Sequence, residues 1–576
     1  MKNHYFIALG LILCGMMAIA IAMIASSPPA QAMGRLHGTP DHNATPIVDE
    51  DDHHHDTPTY YADVEPILQA NCAGCHLEGG IGHSSFSMEN VNDIVEPKSA
   101  DYIAFVTGIR YMPPWPPSEE SLPFLHERTL TDEEIATIAA WAEAGAPLGD
   151  EADRQPPPTS TDIPTIRADV VLTMPEPYTP NAALTDDYRC FLLDTHFDGD
   201  QYMTGYTIDP DADAIVHHVI VFQLDASVRE VAEAKDAAEE GAGWQCFGGP
   251  NLPMSGSRQG TSINVDTTAL NAALGKQGFQ ISDILSALQA KEIPIEAANM
   301  TIIIQTLDEM GVDLNQLFAD MGIDFTRLQA ESIGTRGILA AWVPGAVPTV
   351  MLPNTGRYIP QDTVLVMQVH YNLTAGVQPD QTSFVMQLEP YSPNIIPQSS
   401  AVFVAPVEIP CPEGVENPAC DRDVAMQEVQ SRQSDAILAM CGQDLSTYAD
   451  NTAENAYGYC DYTIPYDGWM VEVSGHMHEL GEQTRVTINP DTPNEVLVID
   501  IPDWDFHWQG SYQLAEPLPV KAGDVLRLEC WWDNSDGERY IVWGEGTSDE
   551  MCFNPISFIW NPLGTLSIED IMGTTG

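Results

Sequence analysis

Basic residues are scarce in this sequence. Its 576 residues hold 22 Lys and Arg against 84 Asp and Glu, a formal net charge of -62. A surface of that balance repels phosphates, which excludes nucleic acid as a partner. The acidity serves solubility instead, as in a saline setting. No internal repeat of useful strength is visible. Charged residues make up 18 % and hydrophobic residues 44 %, a globular composition. A single core is excluded by length, and roughly three or four separately buried units are expected.

Lys2 precedes an almost uncharged apolar run from Tyr5 to Ala25, followed by the small-x-small sequence Ala30-Gln31-Ala32, so residues 1–32 read as an export signal peptide. The run is also long enough to remain as an uncleaved anchor, and membrane contact is expected only in that case. Export leads to the periplasm or the cell exterior, where disulfides persist. Of eleven cysteines, Cys14 leaves with the signal and Cys72 and Cys75 have another use. Cys190, Cys246, Cys411, Cys420, Cys441, Cys460, Cys530 and Cys552 remain, an even set compatible with four bridges.

Residues 33–57 are polar and acidic and read as a disordered tether, in which His53-His54-His55 is solvated. Residues 58–150 carry a helical pattern. Its last helix is capped by Thr131 or Asp132, runs through Trp141 and is stopped by Gly145 and Pro147. A Pro-rich linker occupies 151–165. Beyond it, runs such as Ile215 to Gln223, Thr363 to Tyr371, Met470 to Val473 and Val525 to Trp532 recur between turn residues. That pattern predicts two all-β sandwiches, 166–395 and 396–576. Apolar residues at helical spacing predict a helical insertion of unknown role in the first, at about 256–335.

Cys72-Ala73-Gly74-Cys75-His76 is a CxxCH sequence. Two thiols can add to the vinyl groups of a haem while the adjacent His takes an axial iron position. The helix entering the motif at Val64 to Ala70 and the Trp-bearing helix closing the segment resemble class I cytochrome c domains, which implies one haem c. A sixth iron ligand is then expected on a downstream loop. Met112, between Tyr111 and Pro113-Pro114, is the leading candidate, with Met88 and His126 as alternatives.

The β-rich region holds seven histidines, and five fall into three motifs: His217-His218, His370, and His476-Met477-His478. Strand alternation puts His476 and His478 on one face, a two-point clamp for a transition metal. Met551, beside Cys552, can complete a His2Met set, and soft sulfur favours Cu(I). His196 and His507 read as structural.

On these motifs both sandwiches together resemble the copper type II, ascorbate-dependent monooxygenases, the peptidylglycine α-hydroxylating and dopamine β-hydroxylase family. The resemblance implies jelly-roll-like sandwiches and two coppers per chain. His217, His218 and His370 would hold the electron-transfer copper, and His476, His478 and Met551 the catalytic copper that meets O2 and substrate. Gln368, two residues before His370, also matches and would orient ligands or water. Cys190–Cys246 and Cys530–Cys552 become the expected disulfides, while the pairing of the other four stays open.

Three departures stand out. The arginine that holds a substrate carboxylate in peptide-amidating members is replaced by Ser474, and their later Asn and Tyr by Phe553 and Pro555. The helical insertion and the haem domain are additions. The expected activity is hydroxylation of a C-H bond of a small organic substrate by O2. Electrons would come from ascorbate, another external reductant or a periplasmic donor, through the haem to the first copper. A haem and copper electron carrier without oxygenase activity is the alternative.

Overall fold

The computed structural model describes residues 57–573 except 78–81, 84–85, 156–163, 247–248, 253–266, 292–302, 304–305, 308, 322–336, 345, 374–375, 430–432, 507, 545 and 563. The export signal, nearly all of the acidic tether and His507 lie outside the described residues. Among the described residues no helix is long and apolar enough to cross a membrane.

The N-terminal part is helical: Glu65–Asn71, Ala73–His76, Val91–Ile94, Pro97–Gly108 and Asp132–Glu143. Thr131 closes a capping box with Glu134 and starts the last helix, satisfying two of the N–H groups that helix geometry orphans. The helices bury Leu68, Ile94, Ile138 and Trp141 in a core of their own.

Among the described residues the β region builds four principal sheets, two in each half. A five-stranded sheet runs in the order Trp244–Gln245, Asp186–Leu193, Val364–Asn372, Val216–Leu224, Gly337–Trp342. It shares one core with a six-stranded sheet centred on Gln201–Asp209, through residues such as Phe191, Met203, Val219 and Phe384. In the second half Ser399–Val404, Phe553–Trp560, Gly468–Gly475 and Gly510–Val520 form one sheet, and Ala456–Thr463, Val525–Trp532, Gly481–Ile488 and Val496–Ile501 the other. Val473, Val486, Leu528 and Phe558 fill the space between them. Alternating inward apolar residues over paired sheets give the sandwich layering. Within the helical insertion, Thr267–Lys276, Ile281–Ala290 and Leu314–Asp320 pack around a separate small core.

Two features depart from the sequence reading. The second half is not purely β, since helices Arg422–Glu428 and Gln433–Met440 follow its strand Ser399–Val404. The segment 111–128 leaves the helical domain at Tyr111 and Met112, whose N–H groups donate to Val106 O, and then runs along the second sandwich. Ser118 N and Leu122 N donate to Asp500 O and Val498 O at 2.8 and 3.0 Å, and Leu125 N to Gln513 O at 2.8 Å. Both partner strands are outermost in their sheets, so this strap satisfies backbone groups that edge strands leave open. Phe124 is buried in the second sandwich core, beside Trp115 and Tyr512.

Candidate metal centres

Consecutive residues of a strand point to opposite faces, so His217 and His218 should not both reach one site. The pairing with Val364–Asn372 slips between Val216 and His218: Val216 lies opposite Tyr371 and His218 opposite His370. The extra residue of this bulge re-aims the chain. His217, His218 and His370 then offer ring nitrogens all within 4.8 Å of one another.

Neighbours set the orientation of these rings. His370 Nε2–H donates to Asp186 Oδ1 at 2.9 Å, which leaves Nδ1 directed at His218 Nδ1, 3.4 Å away. Two nitrogens bound tetrahedrally to one ion would stand about 3.3–3.4 Å apart, so the spacing suits one shared metal. Tyr188, directly opposite His370 in the sheet, stacks on its ring at 4.1 Å. Burial, with the neighbouring imidazoles, holds His218 and His370 well below the usual histidine range, keeping them neutral as metal ligation requires. Burial pushes the Asp186 carboxyl up. Gln368 is buried two residues away on the same strand, its amide 3.6 Å from Cys246 Sγ.

The strand that leads to the His-x-His ends at Gly475, so the pair is not held by regular strand alternation. His476 is anchored by mutual backbone hydrogen bonds with Phe553 at 2.9 and 3.1 Å. His478 N donates to Glu550 Oε2 at 2.9 Å. The two rings stand 5.1 Å apart and nearly perpendicular. His476 Nδ1–H donates to Gln509 Oε1 at 2.6 Å and His478 Nδ1–H to Asp549 O at 3.1 Å. Each therefore keeps Nε2 for a ligand, with its tautomer set by the other nitrogen. Burial lowers both histidines, His478 to about 3. Glu550 is wholly buried. Burial pushes its carboxyl up to about 8, against the pull of donors from His478, Leu480, Met551 and Trp532.

His476, His478 and Met551 face one cavity of about 460 Å³ together with His218 and Gln368. Ser474 also lines it, but its hydroxyl is engaged with Pro555 O at 2.8 Å. Trp115, Leu125, His126 and Arg128 of the strap line the cavity too. That puts His126, weighed above as an iron ligand, beside the copper motifs. His196 is exposed and paired with Asp194.

Cys190–Cys246 and Cys530–Cys552 are bonded, and so are Cys411–Cys420 and Cys441–Cys460, which the sequence left open. Four disulfides are consistent with an exported protein.

In the helical domain Cys72 and Cys75 carry free thiols. His76 Nδ1–H donates to Phe86 O at 2.7 Å, with Gly82 O at 3.1 Å, so Nε2 is the nitrogen left for iron. A Cβ on Gly82 would fall 2.6 Å from the His76 ring, which explains a glycine there. Two thiols and a fixed imidazole on one turn fit a covalently held haem. Met88 is in the domain core, and Met112 is half-buried at the start of the strap.

Sequence reasoning missed Asp186, Tyr188, Gln509, Asp549 and Glu550. For Asp549 and Glu550, adjacency to Met551 was the available signal; the others act from neighbouring strands and loops.

The fold and these side chains define a metalloprotein with a helical haem-type domain and β sandwiches bearing imidazole clusters. Residues 428–566 match the family described as copper type II ascorbate-dependent monooxygenase, C-terminal domain. Residues 61–141 match cytochrome C oxidase, cbb3-type, subunit III. The chain thus joins a cytochrome c domain to a copper type II monooxygenase domain on one polypeptide, as a copper and haem oxidoreductase.

Proposed function

We propose that the chain is an exported monooxygenase that hydroxylates a C-H bond of a small organic substrate with O2, taking its electrons through the fused haem domain. In this reading residues 58–150 are the haem domain. Residues 166–395 and 396–576 are jelly-roll-like sandwiches for the electron-transfer and catalytic coppers. His217, His218 and His370 hold the first ion and His476, His478 and Met551 the second; Cys72 and Cys75 carry the haem, with His76 and Met112 on its iron. Bound copper supplies one-electron redox chemistry and activation of O2.

The protein's own part is to keep imidazoles neutral and aimed. Asp186, Gln509 and the Asp549 carbonyl accept hydrogen bonds from the ring N–H groups that face away from the metal. The cavity walls orient substrate and exclude water. Ser474, with its hydroxyl bound to backbone, offers no charge where amidating relatives carry arginine, which argues against peptidylglycine as substrate.

One observation carries the reading: His218, which shares a three-histidine cluster with His217 and His370, lines the same cavity as His476, His478 and Met551 of the other sandwich. The test is turnover of reduced, copper-loaded protein with labelled O2 over a panel of small organic substrates. One labelled oxygen atom in a hydroxylated product supports it. Reoxidation of haem and copper with no labelled product from any substrate supports the electron-carrier alternative.

A further inference from the structure

The haem domain touches the copper region through the strap. Its first residues are tied to helix Pro97–Gly108, because Tyr111 N and Met112 N both donate to Val106 O, at 2.9 and 3.1 Å. The Tyr111 ring meets the Trp508 ring edge to face, centroids 6.4 Å apart. Trp508 is covalently joined to Gln509, whose side-chain Oε1 accepts from His476 Nδ1–H at 2.6 Å. Gln509 Nε2 donates to Phe506 O at 2.9 Å, which fixes the amide so that its oxygen faces the histidine.

We propose that Tyr111, Trp508 and Gln509 form the electron route from the haem domain to the metal position at His476. The sequence reading had the haem feed the first copper, but the contacts of the strap lead to the second. Covalent bonds and a short hydrogen bond couple donor and acceptor better than a gap through water, and between Tyr111 and His476 only the ring contact with Trp508 lacks a bond. One electron moves: haem iron passes from ferrous to ferric, the cupric ion at His476 becomes cuprous, and no bond or proton changes hands. An external one-electron donor recharges the haem. Tyr111 and Trp508 are positioning residues in this scheme. The proposal rests on the haem and copper reading above but not on oxygenation.

The test uses the full chain loaded with haem and copper, without O2. A photoexcited deazaflavin reduces the haem in a flash, and decay of the ferrous haem absorption reports transfer to copper; a copper-free sample is the blank. Tyr111→Leu and Trp508→Leu should slow this decay by about tenfold or more, at unchanged haem and copper content. Tyr111→Phe, which keeps the ring, should stay near the wild-type rate. Tyr111 is substantially exposed, so its variants decide the matter should Trp508→Leu lose metal. Wild-type rates in the Leu variants, equal slowing in Tyr111→Phe and Tyr111→Leu, or no haem-to-copper transfer in the wild type would each overturn the route. Failure of oxygenation would instead show only in the labelled-oxygen assay.

Discussion

The imidazoles of His218 and His476 meet edge to face, ring centroids 6.0 Å apart, across the boundary between the two sandwiches. Phe506 of the second sandwich also stacks on His217 of the first, at 4.6 Å. His218 and His476 line one cavity, which sets the two proposed copper positions side by side.

Asp186 fixes the ring of His370, so Asp186→Asn should weaken copper binding at the His217, His218, His370 group by roughly 10–100-fold. Competition with a chelator of known affinity measures this. Binding at the His476 group should change little.

Met551 lines the cavity with His476 and His478. Met551→Ala should cut O2 consumption by more than about tenfold while the haem remains reducible. An oxygen electrode and the haem spectrum, recorded on the same sample, separate the two effects. Unchanged turnover would refute the assignment of Met551.

Arg357 and Glu472 form a buried ion pair between the sandwiches at 2.9 Å, with Ser557 Oγ donating to the same carboxylate at 2.7 Å. Arg357→Met alone leaves a carboxylate buried without its cation and should cost about 3–5 kcal/mol. Replacing both, with Glu472→Leu, should recover much of that. Denaturant unfolding reads the difference, followed by a probe of the second sandwich because a multidomain chain need not unfold in one step.

Removing copper with a chelator should lower the unfolding temperature of the sandwiches, since a ligand that binds only the folded form stabilises it by mass action. The haem-domain transition should stay where it was. Scanning calorimetry with and without copper, alongside the haem absorbance, reports both.

The haem motif was legible because its chemistry is local: two cysteines and a histidine on one turn need no distant partner. The sandwiches were visible in their strand periodicity, and Val525–Trp532 runs between the expected residues. The bulge at His217 was not legible, for it arises from pairing with a strand over a hundred residues away. Asp186 and Gln509 stayed hidden for the same reason, since nothing near them in sequence marks a histidine partner. The strap was read as part of the haem domain because its composition says nothing about whose edge strand it covers. Helices Arg422–Glu428 and Gln433–Met440 are not legible inside a stretch expected to be β, although Asp421 supplies an N-cap.

The most direct measurement is the copper content of purified, copper-saturated protein and of two double variants. The account predicts two ions per chain in the wild type and one in either His217→Ala/His370→Ala or His476→Ala/His478→Ala. Fewer than two in the wild type, or two in either variant, would contradict it.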